Sequence, residues 1–343
     1  MKKTTAFFLT IGVLAMIIGG IGSAVYFRRA EHSMTDMKTQ TYEIKNKQST
    51  KEIHLDLSGN AEFYILTENS NKVTMNTRSS VPVSLNSSLD VKEKNDQLSI
   101  SVNSNKKKME LDGLKFDIFD RGSAVTLTIP EDTERLVIDG KADGTINLST
   151  VTTKDLAITM NNADISVSDV NTEKLAIKTT NGDLNTHTDV RTDEATFQTT
   201  NGEIQVNDFV ASKWSALSSS GDISLTRVKG IGNIETTNGE IQATDLKGTA
   251  KVKSVTGDFS LYGTELPKEL QVETQQGSID LHTEEILYDV IIKTKTKLGD
   301  STIFGKERTS YKRGKETKSF ALQTNSGDIS VEGPSDYEDE EDN

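Results

Sequence analysis

One short unit returns along most of this chain, and a repeat constrains a fold more tightly than any local propensity. The segments TMNNADISV (159–167), TTNGDLNTH (179–187), TTNGEIQVN (199–207), SSSGDISLT (218–226), TTNGEIQAT (236–244), SVTGDFSLY (254–262), TQQGSIDLH (274–282) and TNSGDISVE (324–332) align with one another. Taking the central glycine as a mark, the column reads Gly144, Ala163, Gly182, Gly202, Gly221, Gly239, Gly257, Gly277, Gly299 and Gly327. The spacings are 19, 19, 20, 19, 18, 18, 20, 22 and 28 residues.

Apolar residues alternate on both sides of the mark with period 2, the signature of a strand. Five residues before it stand Ile158, Ile177, Phe197, Ala216, Ile234, Val252, Val272 and Leu322. Two after it stand Ile146, Ile165, Leu184, Ile204, Ile223, Ile241, Phe259, Ile279 and Ile329. Each unit therefore reads as strand, tight Asn-Gly-like turn, strand. Such a unit could be one hairpin of a meander or one coil of a solenoid, whereas propeller blades are about twice as long. Like residues recur at equivalent turn positions: Asn162, Asn181, Asn201 and Asn238 before the mark, and Thr179, Thr199, Ser218, Thr236, Ser254, Thr274, Thr296 and Thr324 three before it. Recurrence of that kind suits side chains stacked in register. The pattern predicts an all-β fold: a β-solenoid, a single-stranded parallel β-helix-like rod of about ten coils, on the order of 50 Å long at about 4.8 Å per coil.

The flanks divide the chain. Residues 1–5 are a short basic segment, and 6–27 (AFFLTIGVLAMIIGGIGSAVYF) carry no formal charge between Lys2-Lys3 and Arg28-Arg29. At about 1.5 Å per residue that run can cross a hydrocarbon core of about 30 Å. It predicts an N-terminal transmembrane helix, a signal anchor; a signal peptide cleaved near Gly22-Ser23-Ala24 is the competing reading. Residues 28–40 read as a linker, 41–130 as an irregular β cap segment, 131–333 as the repeat solenoid and 334–343 as an acidic disordered tail. The basic stretch 306–318 reads as a loop between the last two repeats. The expected location is the cell membrane, single-pass, with the large C-terminal domain extracytoplasmic.

Function classes narrow by charge and by missing residue types. A net charge of −13 that deepens once the basic N-terminus is set aside excludes a nucleic-acid partner. Without a single cysteine there is no disulfide, thiolate nucleophile or Cys-ligated zinc. Crowding with Thr, Ser, Asn, Asp and Val/Ile argues against a helical bundle or a Rossmann-type enzyme.

The tandem Gly-Asp/Glu-Ile units, the preceding β segment ending in VTLTIP (125–130) and the single apolar N-terminal segment together resemble a bacterial putative-adhesin family of unknown function that includes LiaG-type envelope-stress proteins. The resemblance covers about residues 41 to 332. It implies a β-helix-like solenoid anchored in the envelope of a Gram-positive bacterium, and it carries over no catalytic residue.

The residue after the mark is acidic in eight of ten units, and Asp164, Asp183, Glu203, Asp222, Glu240 and Asp258 form an unbroken acidic ladder. Stacked about 5 Å apart in water, each neighbouring pair repels by roughly 0.8 kcal/mol. A cation, a cationic peptide or a polycation could relieve that repulsion, or the carboxylates could simply splay apart in solvated turns. His32, His54, His187 and His282 lack metal-ligand spacing, and no phosphate loop, HExxH or Gly-x-Ser-x-Gly occurs. No catalytic residue, cofactor or metal is predicted. The basic cluster Lys306, Arg308, Lys312, Arg313, Lys315 and Lys318 could contact anionic lipid or wall polymer, or stand in solvent. Trp214 holds an apolar position and reads as a core filler.

These features predict a membrane-anchored, extracytoplasmic, non-catalytic interaction surface, adhesin-like or associated with envelope stress. Its expected partners are the membrane through residues 6–27 and a cell-wall polymer, a cationic peptide or another envelope protein. Two alternatives stand beside it: a carbohydrate-active enzyme on the same rod, favoured by a cleft of convergent carboxylates, and a cytoplasm-facing regulatory scaffold.

Overall fold

In a computed structural model of the chain, the described residues are Met16, Gly19, 35–45, 50–80, 83–108, 122–131 and 133–334. The repeats lie parallel and in register, each coil laying down two strand segments on opposite faces. On one face Leu136, Leu156, Leu175, Ala195, Trp214, Gly232, Ala250, Leu270 and Phe320 follow one another rung by rung. On the other, Ile146, Ile165, Leu184, Ile204, Ile223, Ile241, Phe259, Ile279 and Ile329 do the same. The period-2 alternation turns both columns inward, and nearly all of these side chains are fully buried. Burying each large aliphatic side chain contributes about 1.5–3 kcal/mol, so slipping one coil by one residue would expose its whole apolar set.

The core is filled by alternating bulk. Trp214 is 3% exposed, its ring 6.4 Å from that of Phe209 at 82°. The indole lies over Gly232, where an added Cβ would stand 2.3 Å from Trp214 Cζ2. Ala195 and Gly232 occupy the rungs on either side of Trp214, so one large residue takes space that its small neighbours leave free.

The turn at the mark is where successive coils come closest. A Cβ on Gly202 would stand 1.9 Å from the carbonyl oxygen of Gly182, and one on Gly221 1.9 Å from that of Gly202. Those carbonyls also accept from hydroxyls three residues before the mark: Thr199 Oγ1 donates to Gly182 at 3.1 Å, Ser218 Oγ to Gly202 at 3.2 Å and Thr324 Oγ1 to Gly277 at 2.9 Å. These hydroxyls are buried, and each bond satisfies a donor that would otherwise cost about 1–3 kcal/mol.

Three expectations need correction. A simple single-stranded rod behind an irregular cap is not what the chain builds. Strand Glu52–Gly59 pairs with Gln97–Lys108, and the ladder continues through Val83–Lys94, Lys72–Ser80, Ala124–Pro130, Glu62–Glu68, Thr145–Thr152, Asp164–Lys178, Asp155–Thr159 and Arg135–Ala142 back to Glu52–Gly59. That circuit is a closed ten-strand β-barrel. It closes because Asp164–Lys178 runs through both faces, while the antiparallel strands bridge the faces at the far end through the single pair Ser80↔Val83.

The transmembrane helix expected over 6–27, and the single-pass membrane location that rests on it, are corrected as well. Among the described residues no helix is long and apolar enough to cross a membrane. Of that segment only Met16 and Gly19 are described; the rest of 6–27, like the tail from 335 onward, lies outside the described residues.

The last two coils are also out of chain order. Strands Val290–Lys295 and Ser301–Ile303 leave one rung open, and Lys318–Ser326 and Ile329–Glu332 return to fill it against Glu269–Gln276 and Ile279–Thr283. The long final spacings of the mark follow from this, since in space Gly327 lies on Gly277 and Gly299 on Gly327. The basic stretch expected as a loop instead closes the stack, with Ser310–Arg313 and Lys306–Glu307 pairing antiparallel on the end strands. Short, basic, antiparallel strands are an effective block to edge-on association.

The close approach at the mark predicts a contrast between two glycines. Gly202→Ala should lower stability by about 3 kcal/mol or more, because backbone must move to admit the methyl. Gly305→Ala meets nothing within 4 Å at φ +72 and should cost about 1–2 kcal/mol, the left-handed penalty alone. Urea denaturation midpoints of the two variants check this; equal losses would refute it.

Candidate functional site

The structure places Asp164, Asp183, Glu203, Asp222, Glu240 and Asp258 at successive turns, one coil above another. Asp164 Oδ1 accepts from the backbone N–H of Asp183 at 3.0 Å, Asp183 Oδ1 from Glu203 at 2.8 Å, Asp222 Oδ1 from Glu240 at 2.8 Å and Asp258 Oδ1 from Ser278 at 2.7 Å. The two glutamates, one methylene longer, accept instead from Gln205 Nε2 at 2.8 Å and Gln242 Nε2 at 3.0 Å on the outward face. Each aspartate thus holds an amide donor of the next coil, a charge-assisted bond that offsets part of the like-charge repulsion. Among the described residues no three His, Asp or Glu side chains are grouped to hold a metal ion.

Beside this ladder runs a second one of amides. Asn162 Nδ2 donates to Asp143 Oδ1 at 2.9 Å, Asn181 Nδ2 to Asn162 Oδ1 at 2.8 Å and Asn201 Nδ2 to Asn181 Oδ1 at 2.6 Å. The Asn that precedes the mark therefore serves the stack as well as the turn.

A further column was missed in the sequence. Thr150, Asp169, Asp189, Asp208, Arg227 and Asp245 all sit in the left-handed region, with φ between 43 and 58. They form the second corner of the coil, and Asp is one of the few side chains that tolerates that conformation. The legible signal was an Asp recurring six or seven residues after the mark. Where Arg replaces it, a pair links the coils: Arg227 Nε and Nη2 lie 2.5 and 2.7 Å from Asp208 Oδ1 and Oδ2. The hydrogen bond from Arg227 holds the Asp208 carboxyl below its ordinary range.

Past this corner a groove of about 820 Å³ crosses five coils, its walls including Lys154, Thr172, Arg191, Thr192, Val210 and Ser212. Buried threonines make its floor. Thr153, Thr172 and Thr192 donate to the carbonyls of Thr133, Lys154 and Glu173 at 2.9, 3.0 and 3.1 Å. Its rim mixes Glu134, Lys154, Glu173 and Arg191, and Val210 adds an apolar side chain that is 43% exposed. Such a channel accommodates an extended polymer rather than enclosing a small molecule.

The basic cluster lies on the terminal strands and is largely engaged. Arg308 packs over the Tyr311 ring at 4.5 Å and Arg313 over Tyr288 at 4.8 Å, while Lys312 pairs with Glu316 and Lys318 with Glu285. His54 Nε2 is 3.0 Å from Asp139, and His282 Nδ1 is 3.4 Å from Glu332.

A family model described as Toastrack DUF4097 matches residues 50–235 and 229–332. No curated protein matches the chain. Among solved structures, a "putative adhesin" from Parabacteroides merdae ATCC 43184 is 15% identical with TM-score 0.47, covering 72% of this chain and 95% of its own. Another from Bacteroides fragilis NCTC 9343 is 18% identical with TM-score 0.39, covering 72% and 97%. A "putative lipid binding protein" from Parabacteroides distasonis ATCC 8503 is 14% identical with TM-score 0.39, covering 87% and 97%.

The Asp208–Arg227 bond makes a pH prediction. A carboxyl whose folded pKa is lowered adds stability above its unfolded value and loses it as pH falls through the folded one. Asp208→Asn should therefore lower the melting temperature slightly at pH 7, and the difference from the wild type should vanish as the pH falls below the ordinary carboxylate range. Thermal denaturation across a pH series tests this; a difference that persists in strong acid would contradict it.

Proposed function

The chain belongs to the Toastrack DUF4097 family, and on that premise we propose that it is a non-catalytic, adhesin-like binding scaffold. Its rigid sides present the same side chains at every rung to an extended partner. The 820 Å³ groove carries this reading, because it crosses five coils at a coil-to-coil rise of about 4.8 Å and matches a chain molecule in shape. The partners that fit are a cell-wall polymer, a cationic peptide or another envelope protein. The LiaG-like part of the sequence resemblance adds a role in the response to envelope stress. Acidic residues at the turns support the scaffold rather than an enzyme: most are engaged with backbone amides of the next coil, where general acid–base chemistry would need a pair facing one substrate.

Co-sedimentation of the purified chain with isolated bacterial cell walls tests the reading. Saturable binding without release of reducing sugar is expected. Arg191→Glu and Val210→Asp, which place negative charge in the groove, should weaken it about tenfold, the equivalent of about 1.4 kcal/mol. Release of reducing ends would replace the scaffold with an enzyme, and the absence of saturable binding would overturn the proposal.

A further inference from the structure

A different surface carries a more specific inference. On the face formed by the segment after the mark, the outward residues of successive rungs run from Ser166 through Asn185, Gln205, Ser224 and Gln242 to Ser260, paired in register. None of them is charged, although the acidic ladder runs two residues earlier, and Gln205 and Gln242 donate to its glutamates. On the opposite face the middle column, Val137, Ala157, Ala176, Thr196, Ser215 and Asn233, is also uncharged but more apolar, and at the start of its strands Arg135, Asp155, Lys174, Glu194 and Lys213 alternate in sign from rung to rung.

The uncharged row ends in a recess of about 430 Å³ lined by Gln242, Ser260, Tyr262, Asp280, His282 and Ser330. Tyr262 forms its aromatic wall, 43% exposed yet fixed on two sides. Its hydroxyl donates to Glu284, and one ring face stacks on His282 with centroids 5.2 Å apart and planes at 10°. The coil before it carries only the short Thr244 at the paired position, which leaves the other ring face uncovered. Asp280 lies within the same recess; burial, reinforced by Asp258, Glu332 and Asp328, raises its carboxyl above the ordinary range.

We propose that this face binds a linear, uncharged, β-linked polysaccharide lying along the stack, with one sugar ring seated in the recess against the free face of Tyr262. Hydroxyl and amide side chains both donate and accept, as sugar hydroxyls do, so they can exchange water for ligand, Gln205 and Gln242 through their free amide oxygens while their Nε2 groups stay on Glu203 and Glu240. A fixed aromatic ring offers its face to the C–H groups of a pyranose. Asp280 adds an acceptor in a partly desolvated place. The rung spacing of about 4.8 Å is close to the length of one extended β-linked pyranose unit, so each sugar would meet an equivalent pair of side chains. The acidic ladder two residues before the row would repel an anionic glycan, and a cationic peptide, which would meet carboxylates both there and in the recess, is the competitor that the test must separate. The inference rests on the scaffold reading but uses none of the residues of the groove.

Native electrophoresis of the full chain in gels containing hydroxyethylcellulose, galactomannan or laminarin tests it, with polygalacturonate and polylysine as charged probes. Retardation by at least one of the three uncharged glycans is expected, with none by polygalacturonate. Binding should fall about tenfold in Tyr262→Ala and in Ser224→Arg. Ser215→Arg, on the opposite face, should bind as the wild type does, and circular dichroism of all three variants separates lost binding from lost folding. Failure of all three glycans, or retardation unchanged by both face variants, would overturn the inference. Retention by polylysine that Tyr262→Ala abolishes would give the recess to a cationic peptide instead. If cell walls still bind saturably in either case, only the glycan inference falls and the scaffold stands.

Discussion

Everything in this molecule depends on how closely one turn lies on the next. At the mark, the carbonyl of one coil occupies the space that a side chain of the following coil would need, so the column admits almost nothing but glycine. The same carbonyl accepts a buried Thr or Ser hydroxyl, which sets the height and the lateral register of the coil above. The apolar columns fill the interior that this contact defines, and the Asp carboxylates and Asn amides repeat the coil-to-coil bonding on the solvent side. Polar groups thus specify the register, and apolar burial stabilises it.

The parts of the structure that were legible in the sequence are those that repeat. Alternation around the glycine identified which side chains face inward, and recurring turn residues pointed to stacked coils. What stayed hidden involves pairings between segments that do not resemble each other. Lys72–Ser80 and Val83–Lys94 look like any other strands, and nothing local shows that they run antiparallel and close a barrel with the first coils. The uncharged run at 6–27 satisfies a length and hydropathy criterion, which tests whether a segment could span a bilayer and not how it is placed.

The candidate sites divide in the same way. The acidic ladder was visible as a column, but its bonding was not, because the difference between Asp reaching an amide of the next coil and Glu turning to Gln205 is one methylene. The left-handed corner was visible only as a drifting Asp, and Arg227 broke the pattern where it made a bidentate link to Asp208. The groove and the uncharged row come from residues that are unremarkable singly. They acquire meaning when register lines up Ser166, Asn185 and Gln205, each a full coil from the next along the chain.

The exchanged order of the last two coils bears on how the chain reaches this state. A stack built from neighbouring repeats can grow one coil at a time as the chain leaves the ribosome, since each new coil needs only the one already in place. Beyond the N-terminal barrel strands, that rule holds from Arg135–Ala142 up to Ile279–Thr283 and then fails. The strands Val290–Lys295 and Ser301–Ile303 have no seat when they emerge, because the coil on which they rest is made after them. The C-terminal end must therefore wait until Lys318–Ser326 and Ile329–Glu332 have been made and then assemble as a unit. Directional growth along the stack thus gives way to a concerted closing step at its end, and only a chain that extends through Ile329–Glu332 can carry it out.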